Sequence, residues 1–237
     1  MTRTDGRRPD ELRPVTLELG YLSYAEGSCL ASAGNTRVLC AATFDRRVPP
    51  FLVGSGQGWI TAEYGLLPRS TQQRTARETD APRGRTQEIR RFLGRSLRAV
   101  CDLSALGEQQ LIVDCDVIQA DGGTRTLALT GGFCALKRAV DTLLKRGLIG
   151  RNPVIEHVAA TSVGIVDGEA LLDLAYDEDS RADTDMNVVL TESGRIVEIQ
   201  ATAEHVPFTF EQFNQLFVTA SRAIRGLFNL QRQALDR

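Results

Sequence analysis

The residues Asp121-Gly122-Gly123-Thr124-Arg125-Thr126 have the composition of an anion seat. Two glycines let the backbone approach a ligand, and the unpaired N–H groups of a helix N-terminus favour negative charge. Arg125 adds a planar, forked cation suited to phosphate oxygens. Before the turn, Leu111-Ile-Val-Asp-Cys-Asp-Val-Ile118 alternates as a strand does, with Asp114 and Asp116 on one face. After it, Leu127, Phe133, Leu136, Val140 and Leu144 recur at helical spacing over roughly 127–146. The G-x-x-x-x-G-K-[ST] phosphate loop is missing from the chain, which excludes the ordinary cradle of nucleotide hydrolases.

A second candidate is Tyr176-Asp-Glu-Asp-Ser-Arg-Ala-Asp-Thr-Asp-Met-Asn187, which crowds Asp177, Glu178, Asp179, Asp183 and Asp185 between two expected strands. Crowded carboxylates repel unless a cation shares the site. Magnesium suits them, because it binds through one or two carboxylates and keeps waters and phosphate oxygens. Alone, the run reads more simply as a solvated acidic turn. Beside a phosphate seat it is the equipment of phosphoryl transfer.

Charge is unevenly spread. Between Arg69 and Arg98 nine arginines face Glu78, Asp80 and Glu88, a local balance of +6 in a chain of net charge −2. Such a patch suits a phosphate backbone or an anionic substrate. Arginine replaces lysine throughout, however (only Lys137 and Lys145 occur), so charge alone does not establish nucleic-acid binding.

The elements that must position these residues follow from pattern. At 237 residues, 42% hydrophobic and 24% charged, the chain suits one large domain or two closely packed halves. No apolar run approaches the roughly 20 residues that span a bilayer. The charged start, Met1 to Asp10, predicts no secretory signal. Five cysteines without C-x-x-C spacing predict buried thiols in a cytoplasmic protein and no zinc site. Residues 12–62 read as successive strands, with a tight turn at Gly34-Asn35. An Arg-studded loop spans Leu67 to Arg85. The helix after it has a stripe of Ile89, Phe92, Leu93, Leu97, Val100 and Cys101. Gly147, Gly150 and Pro153 mark a break. Beyond it, Val158–Val166 pairs with Leu171–Leu174 across Asp167-Gly168, and Met186–Thr191 pairs with Arg195–Gln200. Thr209 and Gln212 form a capping box for a last helix, whose stripe of Phe210, Phe213, Leu216, Phe217, Ile224 and Phe228 reads as core. Strands followed by helices, twice over, indicate an α+β or mixed α/β fold.

Several segments together resemble the motifs of bacterial ribonuclease PH. These are Gly58-Trp-Ile-Thr-Ala-Glu-Tyr-Gly65, Leu67-Pro-Arg-Ser-Thr71, Gly84-Arg-Thr-Gln-Glu-Ile-Arg90, Asp114-Cys-Asp-Val-Ile-Gln-Ala-Asp-Gly-Gly-Thr-Arg-Thr126, Glu178-Asp-Ser180 and Thr184-Asp-Met-Asn-Val188. They run in order from about Leu12 to about Phe210. The resemblance implies a phosphorolytic 3′-to-5′ exoribonuclease that trims precursor tRNA and other RNA 3′ ends, with inorganic phosphate as co-substrate and nucleoside diphosphates released. It implies a ribosomal-protein-S5-domain-2-like βαβα arrangement in two similar halves, divided here as a tail (1–11), an N-terminal half (12–150) and a C-terminal half (151–237). It further implies a homohexamer built as a trimer of dimers, with no membrane and no DNA partner.

Residue by residue, Arg85 matches the family's phosphate-binding arginine, and Gly123, Thr124 and Arg125 its second phosphate element. Asp179 and Asp185 match paired aspartates assigned to Mg2+ binding and catalysis. Arg69, Arg74 and Arg77 match loop arginines implicated in holding tRNA and in assembly. The resemblance thereby moves the metal away from Asp114, Asp116 and Asp121, which are expected to pair with arginines or shape the turn. The chain departs from the family at Gln200-Ala-Thr-Ala-Glu-His205, where Ala201 and His205 replace glycines. His205 reads as a surface substitution and not a base. Two other readings compete: an inactive RNA-binding ring subunit of an exosome-like assembly, and an ATP-dependent small-molecule kinase. Retention of Arg85, Arg125, Asp179 and Asp185 opposes the first. The lack of a glycine-serine-rich ATP loop opposes the second.

Overall fold

The computed structural model describes residues 3–78 and 84–236. Five strands form the first sheet: β1 (Val15–Leu19), β2 (Gly27–Ala33), β3 (Thr36–Asp45), β4 (Trp59–Leu66) and β5 (Gln110–Gln119). Their order is β1-β2-β3-β5-β4, antiparallel except for the β4–β5 pair. That parallel pair requires a crossover, which α1 (Gly84–Arg98) supplies. Four further strands, β6 (Val158–Val166), β7 (Glu169–Leu172), β8 (Thr184–Thr191) and β9 (Ile196–Ala203), form a second, antiparallel sheet in the order β7-β6-β8-β9. Helix α2 (Thr124–Lys145) lies against β2, β3 and β5 and also reaches β6, so it is buried nearly all round. A single-turn helix, α3 (Tyr176–Asp179), joins β7 to β8, and α4 (Phe210–Leu235) covers β6 and touches β1.

The α+β architecture is the expected one, and all five cysteines are buried and unpaired. Several details differ from the sequence reading. Helix α2 starts at Thr124, three residues before the apolar stripe, because Gly123 in a left-handed conformation (φ 64°) already turns the chain into the helix. Val100 and Cys101 are buried beyond the end of α1, with Cys101 bridged to Val154. Strand β7 stops at Leu172, since Asp173 takes a left-handed φ of 53°. The capping box at Thr209 forms, with Gln212 N–H donating to the threonine hydroxyl at 3.2 Å. Of the α4 stripe, Leu216, Ile224 and Phe228 are core, but Phe210 is 71% exposed. It sits in the first turn, where its ring stacks on Phe213, which stacks in turn on Phe217, both partly buried against the core. The part of the Leu67–Arg85 loop from Thr79 to Arg83 lies outside the described residues.

Candidate active site

A cleft of about 510 Å³ opens where the two sheets meet. The end of β4, the start of α1, the α2 N-terminus, α3 and the start of β8 all border it. Arg85, Gly123, Thr124, Arg125, Asp179 and Asp185 line this one cleft, although the sequence spreads them over a hundred residues. Arg77 also lines it, whereas Arg69 and Arg74 are exposed on the loop outside its wall.

The glycine turn is built from beneath. The Thr126 hydroxyl donates to the Gly123 carbonyl at 2.9 Å, closing the first turn of α2. The first amides of a helix have no intrahelical acceptor, so those around Thr124 and Arg125 remain available to an anion. Tyr64, 3% exposed at the end of β4, shares a 2.8 Å hydrogen bond with the Thr124 hydroxyl. Burial pushes the Tyr64 phenol up, so it stays protonated and polar. The Arg125 guanidinium is held 2.8 Å from Glu88 of α1 and also donates to Gln200 of β9. This fixes it at the junction of both sheets.

Asp185 stands half-buried at the start of β8, and Asp179 ends α3 with some exposed surface. Desolvation pushes both carboxyls up. Asp185 reaches about 6, through burial first and repulsion from Asp179 second, with Arg125 and a 3.3 Å hydrogen bond from Asn187 opposing. Arg85 and Arg125 pull Asp179 the other way. The charge of Asp179 raises Asp185, and Glu204 adds to the repulsion on both. Carboxyls so crowded suit a divalent cation, and this pair has the donor chemistry of a magnesium site completed by water and phosphate oxygens.

The rest of the acidic run does not join them. Glu178 is 2% exposed and engaged by Arg3, on the far side of α3 from the cleft. Asp121 shapes the turn, as expected, accepting from Asn35 at 3.2 Å and from the Tyr176 N–H at 3.4 Å. Asp116 borders the cleft, where burial raises its carboxyl and Arg77 opposes. Ala201 and His205 are exposed with ordinary negative φ, so neither position demands glycine here. Tyr64, Asn187 and Ser162 escaped the sequence reading. Tyr64 and Asn187 stood within quoted motifs without a role of their own, and Ser162 lies in a strand buried throughout, which reads as core.

Arginines, a helix N-terminus and paired carboxyls on one cleft are the equipment of a phosphoryl-transfer protein. Two consecutive family models match, the 3′ exoribonuclease family domain 1 over residues 11–140 and its domain 2 over residues 157–223. The chain belongs to this family and is a phosphate-dependent 3′-to-5′ exoribonuclease. It is 55% identical to the ribonuclease PH of Moorella thermoacetica over 99% of this chain and 95% of that one. It is also 55% identical to that of a Methylobacterium species (98% and 99% covered), and 52% identical to that of Neisseria meningitidis (97% and 96%). Among solved structures it resembles rice Rrp46, with a TM-score of 0.82 at 20% identity over 99% and 100% of the two chains. It likewise resembles an Archaeoglobus fulgidus exosome with RNA bound to the active site (TM-score 0.81, 23% identity, 95% and 91% covered). At such identity these two speak for the fold alone.

Proposed function

We propose that the cleft trims the 3′ ends of precursor tRNA and other RNA, with Arg85, Gly123, Thr124 and Arg125 seating the attacking phosphate. The supporting observation is the convergence of these residues with Asp179 and Asp185 on one cleft. Phosphate is already anionic at neutral pH, so it needs no strong base. It needs relief from repulsion by the phosphodiester, and alignment for in-line attack. Arg85, Arg125 and the α2 amides supply both. A phosphate oxygen attacks the terminal phosphorus, the bond to the neighbouring 3′ oxygen breaks, and a nucleoside diphosphate leaves. Asp185 is the aspartate suited to assist proton transfer to the departing oxygen.

Asp179 and Asp185 would hold Mg2+, which would neutralise charge on the scissile phosphodiester. Arg69, Arg74 and Arg77 would contact the RNA backbone and neighbouring subunits. The assembly would be a homohexamer, a trimer of dimers; exposed apolar side chains such as Tyr24, Phe51 and Phe210 offer surface for subunit contacts. The two halves would divide at 150/151. A cytoplasmic location accords with five free cysteines, and among the described residues no helix is long and apolar enough to cross a membrane.

The test is an RNA with a free 3′ end incubated with magnesium, with and without phosphate. Phosphate-dependent release of nucleoside diphosphates is expected. Monophosphates released without phosphate would mean hydrolysis and overturn the reading.

A further inference from the structure

Arg13 lies outside the cleft lining, yet its guanidinium ties together the two elements that build the cleft. Toward the first half it donates to the carbonyl oxygens of Asp121 and Gly122, the latter at 3.3 Å. Toward the second half its Nη2 and Nε reach the Asp173 carboxylate at 2.6 and 2.9 Å, and its backbone N–H reaches the same carboxylate at 2.9 Å. Arg13 and Asp173 are 4% and 5% exposed. Asp173, at a left-handed φ, begins the short segment leading into α3 and Asp179. The other end of that segment is pinned as well. Arg3 grips the Glu178 carboxylate through two 2.7 Å hydrogen bonds and donates to the Asp173 carbonyl at 3.0 Å. Thr36 closes the arrangement, donating to the Gly122 carbonyl at 2.7 Å and accepting from the Asp121 N–H at 3.0 Å.

A buried ion pair is a weak source of net stability compared with an apolar replacement, but a planar fork with fixed donors sets register well. We propose that Arg13 is a positioning residue for phosphorolysis, setting the separation between the glycine turn and the helix that bears Asp179. This rests on the reading of those two elements as phosphate seat and cation-holding carboxylate. A misplacement of about 1 Å between reacting groups can cost about 100-fold in rate.

Arg13→Lys keeps a charge for Asp173 but cannot hold both carbonyls and the carboxylate in one plane. In the full-length enzyme we expect kcat/KM for phosphate to fall by about 10- to 100-fold, with RNA binding in the absence of phosphate unchanged. Thr36→Val, which replaces the hydroxyl by a methyl group of similar size, should raise the phosphate KM several-fold and leave kcat nearly intact. A lowered Tm with kcat/KM for phosphate within about twofold of wild type would mean a merely structural role and overturn the proposal. If Arg13→Lys does not fold, an unmoved phosphate KM in Thr36→Val overturns it equally. Wild-type activity separates the two levels. Loss of phosphate dependence there refutes the phosphate seat itself, whereas intact wild-type phosphorolysis with unmoved variants refutes only the positioning role.

Discussion

The hydroxyls of Tyr64 and Thr124 share one hydrogen bond of 2.8 Å across the floor of the cleft, joining the end of β4 to the first residue of α2. The bond fixes the rotor of a hydroxyl that faces the proposed phosphate. Tyr64→Phe removes it without changing the packed volume. A neutral hydrogen bond contributes about 1 kcal/mol, so the phosphate KM should rise about fivefold while kcat and Tm stay close to wild type. Steady-state kinetics with phosphate as the varied substrate decide it, and an unchanged KM counts against Thr124 as a phosphate ligand.

Asp185 carries a cost in stability. Its carboxyl is raised from 3.8 to about 6, so the folded protein keeps this proton to higher pH than the unfolded chain does. The destabilising charge is therefore absent below about pH 4 and grows as pH rises through 6. The full effect is of order 3 kcal/mol before solvent screening is allowed for. Asp185→Asn should abolish turnover yet raise the metal-free Tm at pH 8 and leave it unchanged at pH 4. Magnesium should raise the Tm of wild type at pH 8 more than that of the variant. Equal response of both proteins to magnesium would remove Asp185 from the metal site.

Gly122 has φ 74°, and a Cβ there would lie 2.3 Å from the Leu174 carbonyl oxygen. Gly122→Ala adds left-handed strain of about 1–2 kcal/mol and pushes the turn away from the segment leading to Asp179. Phosphorolysis should fall by about 100-fold, with a Tm loss of several degrees. Near-normal kcat in the variant would show that contact between turn and segment is dispensable.

Arg69, Arg74 and Arg77 are exposed on the loop after β4. RNA binding should weaken as salt rises, and each lost phosphate contact should flatten the log–log slope by about 0.7 for a single strand. Replacing all three by alanine should therefore reduce the slope by about 2 units. Fluorescence anisotropy with a labelled single-stranded RNA measures this, and an unaltered slope places the RNA contacts elsewhere.

Much of this protein is written in local pattern. The alternation of Leu111–Ile118, the Asp167-Gly168 and Ser193-Gly194 turns and the Thr209–Gln212 cap each act over a few residues, so they are legible one segment at a time. The glycine turn with Arg125 was legible for the same reason, as was the acidic run around Asp179 and Asp185. Tertiary structure alone decided which acids share the cleft. Glu178 is adjacent to Asp179 in sequence, but the roughly 100° step between successive helical residues points it toward Arg3 and away from the site. It also decided that the stripe residue Phe210, in the first turn of α4, lies outside the core. Arg13, which the sequence reading passed over, gained its place from contacts about 110 and 160 residues away. Pairings of that range depend on how the two sheets dock, and no local periodicity encodes them.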